Sequence, residues 1–186
     1  MRKLIGFTHV SLGGEIGAPA WAEPYLDDEH AAYAKRVLFA ADALLLGRRT
    51  YEGLSVAYPA MADDPRASNE FVDRMNSIPK FVASRTLRNP TWNATVIDGD
   101  VVQRVAELKQ EPGGAILKYG TGPLDALLMA HGLIDEFHLL ITPVAVGRGQ
   151  HLFEDVEGTP HLRLADVTRF ANGVVVLVYT PTDRAA

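Results

Sequence analysis

A chain of 186 residues, 47% of them hydrophobic and 22% charged, has the size and composition of one domain around a single sizeable core. Its net charge of −5, with Lys and Arg scattered along the chain, excludes the basic patch of a nucleic-acid binder. The lack of any cysteine removes disulfides, thiolate nucleophiles and thiolate metal sites. No stretch approaches the roughly 18 apolar residues of a membrane span. The start Met1-Arg2-Lys3-Leu4-Ile5 is basic and then apolar, but Thr8, His9 and Ser11 interrupt it and two glycines end it. That pattern reads as a first strand rather than an export leader, so the expected compartment is the cytoplasm.

In chain order, Lys3–Leu12 is the first expected strand, closed by Gly13-Gly14. Gly13–Pro24 is a shaped, irregular loop. Ala34, Val37, Leu38 and Ala41 recur at helical spacing behind the acidic residues Asp27, Asp28 and Glu29. Ala43–Leu46 is a short buried strand stopped by Gly47, and Arg48–Ala57 reads as helix. Ala62–Ala67 reads as a polar loop, Phe71–Met75 as a short helix, Lys80–Ser84 and Thr95–Ile97 as strands. Val101, Val105 and Leu108 mark a helix ended by Pro112-Gly113-Gly114. Ala115–Lys118 is a strand stopped by Gly120-Thr121-Gly122, after which Leu124, Leu127, Leu128 and His131 line one helix face. Glu136–Thr142 follows as a strand. Leu162–Phe170 and Val174–Thr180 form a hairpin about Asn172-Gly173. Strands alternating with helices, then a hairpin, predict an α/β fold in which helices cover both faces of a mostly parallel sheet with an antiparallel edge. No linker or repeat divides it, so residues 1–186 read as one domain.

Ligands of such sheets bind at the carboxyl ends of the strands. Three junctions there suit phosphates. Gly47-Arg48-Arg49-Thr50 offers a helix N-terminus with two guanidinium groups and a hydroxyl, or else a capped helix with two solvated arginines. Ser84-Arg85 suits a phosphomonoester, and equally a plain surface turn. Gly120-Thr121-Gly122 opens a helix as a pyrophosphate loop does, without the full Gly-x-Gly-x-x-Gly pattern. Three such junctions on one sheet edge carry more weight than any one alone. Trp21 and Tyr25 either wall a planar substrate or anchor their loop to the core. Gly147-Arg148-Gly149 suits a subunit contact or a substrate phosphate. The six histidines show no metal-ligand spacing with carboxylates, and His9 and His138 read as core or sheet-face residues.

The segments Val10-Ser11-Leu12, ADALLLGRRTYE (ending at Glu52), Lys80–Leu87, Tyr119–Leu128 and Leu133–Phe153 occur in that order. Together they resemble stand-alone relatives of the reductase domain of bacterial riboflavin synthesis, a branch of the dihydrofolate reductase superfamily, over nearly the whole chain. The resemblance implies the three-layer α/β/α architecture of that superfamily and a homodimer. It also implies NADPH bound across the sheet edge and used to reduce a small pterin- or pyrimidine-like heterocycle. On this basis Gly47, Arg48, Arg49 and Thr50 would hold the cofactor phosphates. Ser84 and Arg85 would take the 2′-phosphate, and Gly120, Thr121 and Gly122 the pyrophosphate. Val10, Ile16 and Gly17 would lie near the nicotinamide. A carboxylate on the first helix, with Glu29 best placed, would engage the heterocycle, and Glu29 or a bound water would supply the proton; the other reading of the acidic turn is complement to the helix dipole. Two positions depart from the pattern. Relatives carry Asp where this chain has Gly13, and the riboflavin-pathway enzymes carry Glu where it has Tyr119. Reduction of the riboflavin intermediate, or ligand binding without turnover, therefore stand as alternatives.

Overall fold

The computed structural model describes residues 1–17 and 20–182, so Ala18 and Pro19 of the first loop and residues 183–186 lie outside the described residues. Eight strands form one sheet in the order β4-β3-β2-β5-β1-β6-β8-β7. They are β1 (Leu4–Ser11), β2 (Ala41–Gly47), β3 (Lys80–Ala83), β4 (Ala94–Ile97), β5 (Ala115–Tyr119), β6 (Glu136–Thr142), β7 (His161–Arg169) and β8 (Val175–Thr182). β1 to β6 pair in parallel, while β8 runs antiparallel to β6 and β7 to β8. The alternation of apolar runs with amphipathic segments thus gives the expected parallel sheet with its antiparallel edge.

The helices are α1 (Asp28–Phe39), α2 (Arg48–Asp63), α3 (Glu70–Ser77), α4 (Val101–Gln110) and α5 (Pro123–Ala130). Alternate strand residues face opposite layers. Phe7, Leu44, Leu46, Leu117 and Leu140 pack under α1 to α3 with Tyr33, Tyr51 and Met75. Leu4, Val10, Leu45, Ile116 and Leu139 pack under α4 and α5 with Val105, Leu108 and Leu128.

Three local expectations need correction. α2 runs on through Pro59 to Asp63, into the stretch read as a polar loop. On α5, Leu128 is buried whereas Leu127 is 40% exposed and His131 is the exposed C-terminal cap, so the apolar face is narrower than the spacing implied. The β7–β8 turn spans Ala171–Gly173 rather than a two-residue pair. The Gly173 N–H bonds Phe170 O at 3.1 Å, and Gly173 then takes φ +93° before Phe170 and Val174 pair. That geometry is a type I turn followed by a left-handed glycine.

A cleft along the carboxyl ends of the strands

The carboxyl ends of β3, β2, β5 and β1 stand side by side, and each opens into one of the loops singled out above. The loop after β5 is the most tightly built. Lys118, an interior residue of an apolar strand, turns its ammonium to Gly120 O at 2.5 Å and to Asp125 Oδ2 at 2.7 Å. Asp125 also accepts from the Gly122 N–H at 2.9 Å. The pair is almost wholly buried; burial lowers the Lys118 pKa and the Asp125 charge opposes that fall. Gly120 has φ +76°, and a Cβ there would fall on Thr50 Oγ1, so the loop lies directly against the start of α2. Neither Lys118 nor Asp125 was singled out from sequence, where Lys118 ends a strand and Asp125 is one helix acid among many.

At the β2–α2 junction Gly47 has an ordinary φ of −77°, open to any residue. An added Cβ would meet nothing within 4 Å; the glycine leaves open space above the helix start. Arg48 pairs with Glu52 at 2.6 Å and also reaches the Thr86 hydroxyl, tying this junction to the loop after β3. Arg49 and Arg85 make no ion pair among the described residues. The Ser84 hydroxyl accepts from Thr86 N and Leu87 N and so shapes its own turn. Ser84 and Arg85 form one wall of a cleft of about 590 Å³ whose other side is Asp100, Val101, Pro123 and Leu124 at the starts of α4 and α5.

After β1 the chain folds back on residues 150–152 through Ile16 N to Gln150 O and Leu152 N to Gly14 O, both 2.8 Å. Val10 and Ile16 are core residues, 3% and 5% exposed, so only their backbones are available to a ligand. Gly17 has open space above it. A side chain at position 13 would fall on the carboxylate of Glu15. Glu15 thus supplies, two residues later, an acid where the resemblance expects Asp. The Ser11 hydroxyl donates to it and holds its pKa below the usual range, and His151 lies 3.5 Å away.

The substrate side differs from expectation. Glu29 is exposed, and its carboxylate accepts from Ala171 N at 2.5 Å, tying α1 to the β7–β8 turn. Trp21 and Tyr25 lie in a 3-10 turn, Ala20–Tyr25. Tyr25 packs on the core and its carbonyl accepts from Asn172. The next residue after Glu29 is the one that faces inward. His30 Nε2 lies 3.3 Å from His9 Nε2, and one turn further Tyr33 Oη lies 2.9 Å from His138 Nδ1. Burial lowers all three histidine pKa values, that of His9 to about 4 with His30 adding to the effect. His30 lines a second cleft, of about 710 Å³, between α1, α2 and α3. The Tyr119 hydroxyl, at the end of β5, is buried with no protein partner. No cluster of three or more His, Asp or Glu residues among those described is arranged to hold a metal ion.

The carboxyl ends of the parallel strands open into one cleft, the usual ligand side of an α/β sheet, and a second cleft lies among α1, α2 and α3. The chain belongs to the RibD C-terminal domain family, whose model matches residues 2–176. It is 35% identical over 138 residues to the uncharacterised Bacillus subtilis protein YyaP, covering 74% of this chain and 73% of that one. It is 27% identical over 177 residues to the uncharacterised YwjB of the same organism, covering 93% and 95%. Among solved structures, a proposed riboflavin biosynthesis protein from Shewanella sp. PV-4 superposes with a TM-score of 0.71 at 22% identity, covering 97% of this chain and 99% of that one. The deaminase/reductase of Thermotoga maritima superposes with a TM-score of 0.65 at 14% identity over 97% of this chain. The chain spans 57% of that protein's length. The fold is therefore the dihydrofolate reductase-like one, and the family is of reductase type.

Proposed function

We propose that the protein is an NADPH-dependent reductase of a small pterin- or pyrimidine-like heterocycle. The supporting observation is the approach of Gly120, in the Gly120-Thr121-Gly122 loop, to Thr50, with Arg49 next in the chain and Arg85 after the neighbouring strand β3, neither arginine having an ion-pair partner among the described residues. Backbone N–H groups and a helix start there suit the pyrophosphate, with Gly47, Arg48, Arg49 and Thr50 along it. Arg85, with Ser84, stands at the cleft toward α4 and α5, where the 2′-phosphate and adenosine would lie. The backbones of Val10, Ile16 and Gly17 would flank the nicotinamide. When bound, the cofactor supplies hydride. The protein's part is to orient both ligands, exclude water and provide a proton. The exposed Leu164 and Val167 on the edge strand β7 support assembly as a homodimer, with residues 1–186 working as one cytoplasmic unit.

A titration with NADPH and NADH side by side tests this reading. Tight NADPH binding is expected, and Arg49→Ala/Arg85→Ala should weaken NADPH at least tenfold more than NADH. Equal losses, or no binding of either nucleotide, reject the assignment. Binding without turnover on any heterocycle would favour a ligand-binding role, which the departures at Gly13 and Tyr119 keep open.

A further inference from the structure

The second cleft has a composition that narrows what it takes. Its walls are Leu26, Ala31, Ala34, Tyr58, Met61 and Phe71, and its polar groups are few. Asn69 spends its side chain on capping α3 and on Ala67 O. Lys35, the cation of the lining, is bonded to Glu70 at 2.6 Å. A phosphate entering here would meet the Glu70 carboxylate beside Lys35 and would have to displace it from its one lining cation. Two flat rings, Tyr58 and Phe71, offer stacking surfaces.

That leaves His30. Its Nε2 faces His9 Nε2, so one proton serves both nitrogens and each ring stays neutral. If His30 donates that proton, its Nδ1 is an acceptor; if His9 donates it, the Nδ1 of His30 carries hydrogen and is a donor. His30, which lines the cleft, can therefore carry either polarity at Nδ1 without a change of net charge. Ring lactams and amidines, whose N–H and C=O or C=N groups exchange roles by tautomerism, are matched by such a group.

We propose that this cleft binds a planar, uncharged and unphosphorylated heterocycle, whose ring nitrogen or ring N–H is read by His30 backed by His9. The inference deepens the reductase reading, on which it rests, by naming the substrate class, and it argues against a phosphoribosyl substrate.

The test needs no cofactor. Tyr58 stacks on Trp92 with ring planes 12° apart, so Trp92 reports on the cleft, and Trp21→Phe leaves it as the sole tryptophan. The probes are pterin, neopterin and neopterin monophosphate. Pterin should quench Trp92, and the monophosphate should bind at least tenfold more weakly than neopterin. By calorimetry, His30→Phe, which keeps the ring but not the nitrogens, should lose at least tenfold for pterin, and His30→Gln should recover part of that. Ala31→Phe, at an exposed helix position that fills the cleft, should abolish binding while the melting temperature holds. No pterin binding, equal affinity for the monophosphate, or wild-type affinity in His30→Phe or Ala31→Phe overturns the proposal. Pterin binding in a protein that ignores NADPH would sink the cofactor assignment alone. NADPH binding without pterin would sink this one alone.

Discussion

Lys118 Nζ lies 2.7 Å from Asp125 Oδ2 with the two side chains only 2% and 5% exposed, and the pair holds both ends of the Gly120–Gly122 loop through Gly120 O and Gly122 N. Removing one member strands a charge in apolar surroundings. Asp125→Ala should therefore cost about 3–5 kcal/mol in urea unfolding. The double replacement Lys118→Met/Asp125→Leu should cost less than either single one, because no charge is left buried. The loop ends still lose their anchors in the double variant, so its NADPH affinity should stay low where its stability recovers. A double variant that binds NADPH as the natural protein does would show that the loop holds its own shape.

Gly47 and Gly120 lead opposite lives on the same edge, and alanine separates them. Gly120→Ala forces a left-handed residue and drives a methyl into Thr50, so a loss of about 2 kcal/mol or more in thermal unfolding is expected. Gly47→Ala meets no atom and no strain, and should leave the melting temperature unchanged. Its methyl instead enters the space proposed for phosphate, so weaker nucleotide binding is expected. Unchanged affinity in Gly47→Ala would place the phosphates elsewhere.

The features read from sequence and those missed differ in physical kind. Val101, Val105 and Leu108, or the glycines closing β1 and β5, act locally, and spacing alone reveals them. The meeting of Thr50 with Gly120, 70 positions apart, depends on β2 and β5 being neighbours in the sheet. The His9–His30 pair depends likewise on α1 crossing back over β1. Buried lysines are harder still. Lys80, 1% exposed, sits 4.1 Å over Trp92 with carbonyls of Asn76 and Ile78 as acceptors, and burial lowers its pKa to about 8. Nothing in its neighbours along the chain marks it. Glu29 is the acid that spacing favours at the start of α1, yet side-chain direction on a helix, which spacing fixes only to within a residue, gives the inward place to His30.

Glu29 offers a test of that reassignment. Its bond to Ala171 N is charge-assisted but exposed, so Glu29→Ala should lower stability by about 1 kcal/mol or less. Hydrogen exchange should quicken at Ala171, while pterin affinity in the cleft is unmoved. A loss of pterin affinity would return Glu29 to the substrate site.

Acid should destabilise the protein in two stages of different origin. His9, His30 and His138 have depressed pKa values in the fold, while the unfolded chain protonates near 6.5. Between pH 6.5 and about 4.5 the unfolded state therefore binds more protons, and stability falls as pH falls. His9 alone, protonating near 4 in the fold, accounts for at most about 3 kcal/mol of this. It is faced by His30 from α1, which opposes its charge, and Asp27 beside His30 favours protonation there. Glu70, held down by Lys35, and Glu136, where burial is outweighed by Lys3 and His138, give up their contribution only below about 4.5. His9→Gln should therefore flatten the slope of stability between pH 6.5 and 4.5 and leave the steeper fall below it. Urea midpoints measured across both ranges decide the matter. An unchanged slope in the upper range would mean that the shared proton of His9 and His30 does not govern it.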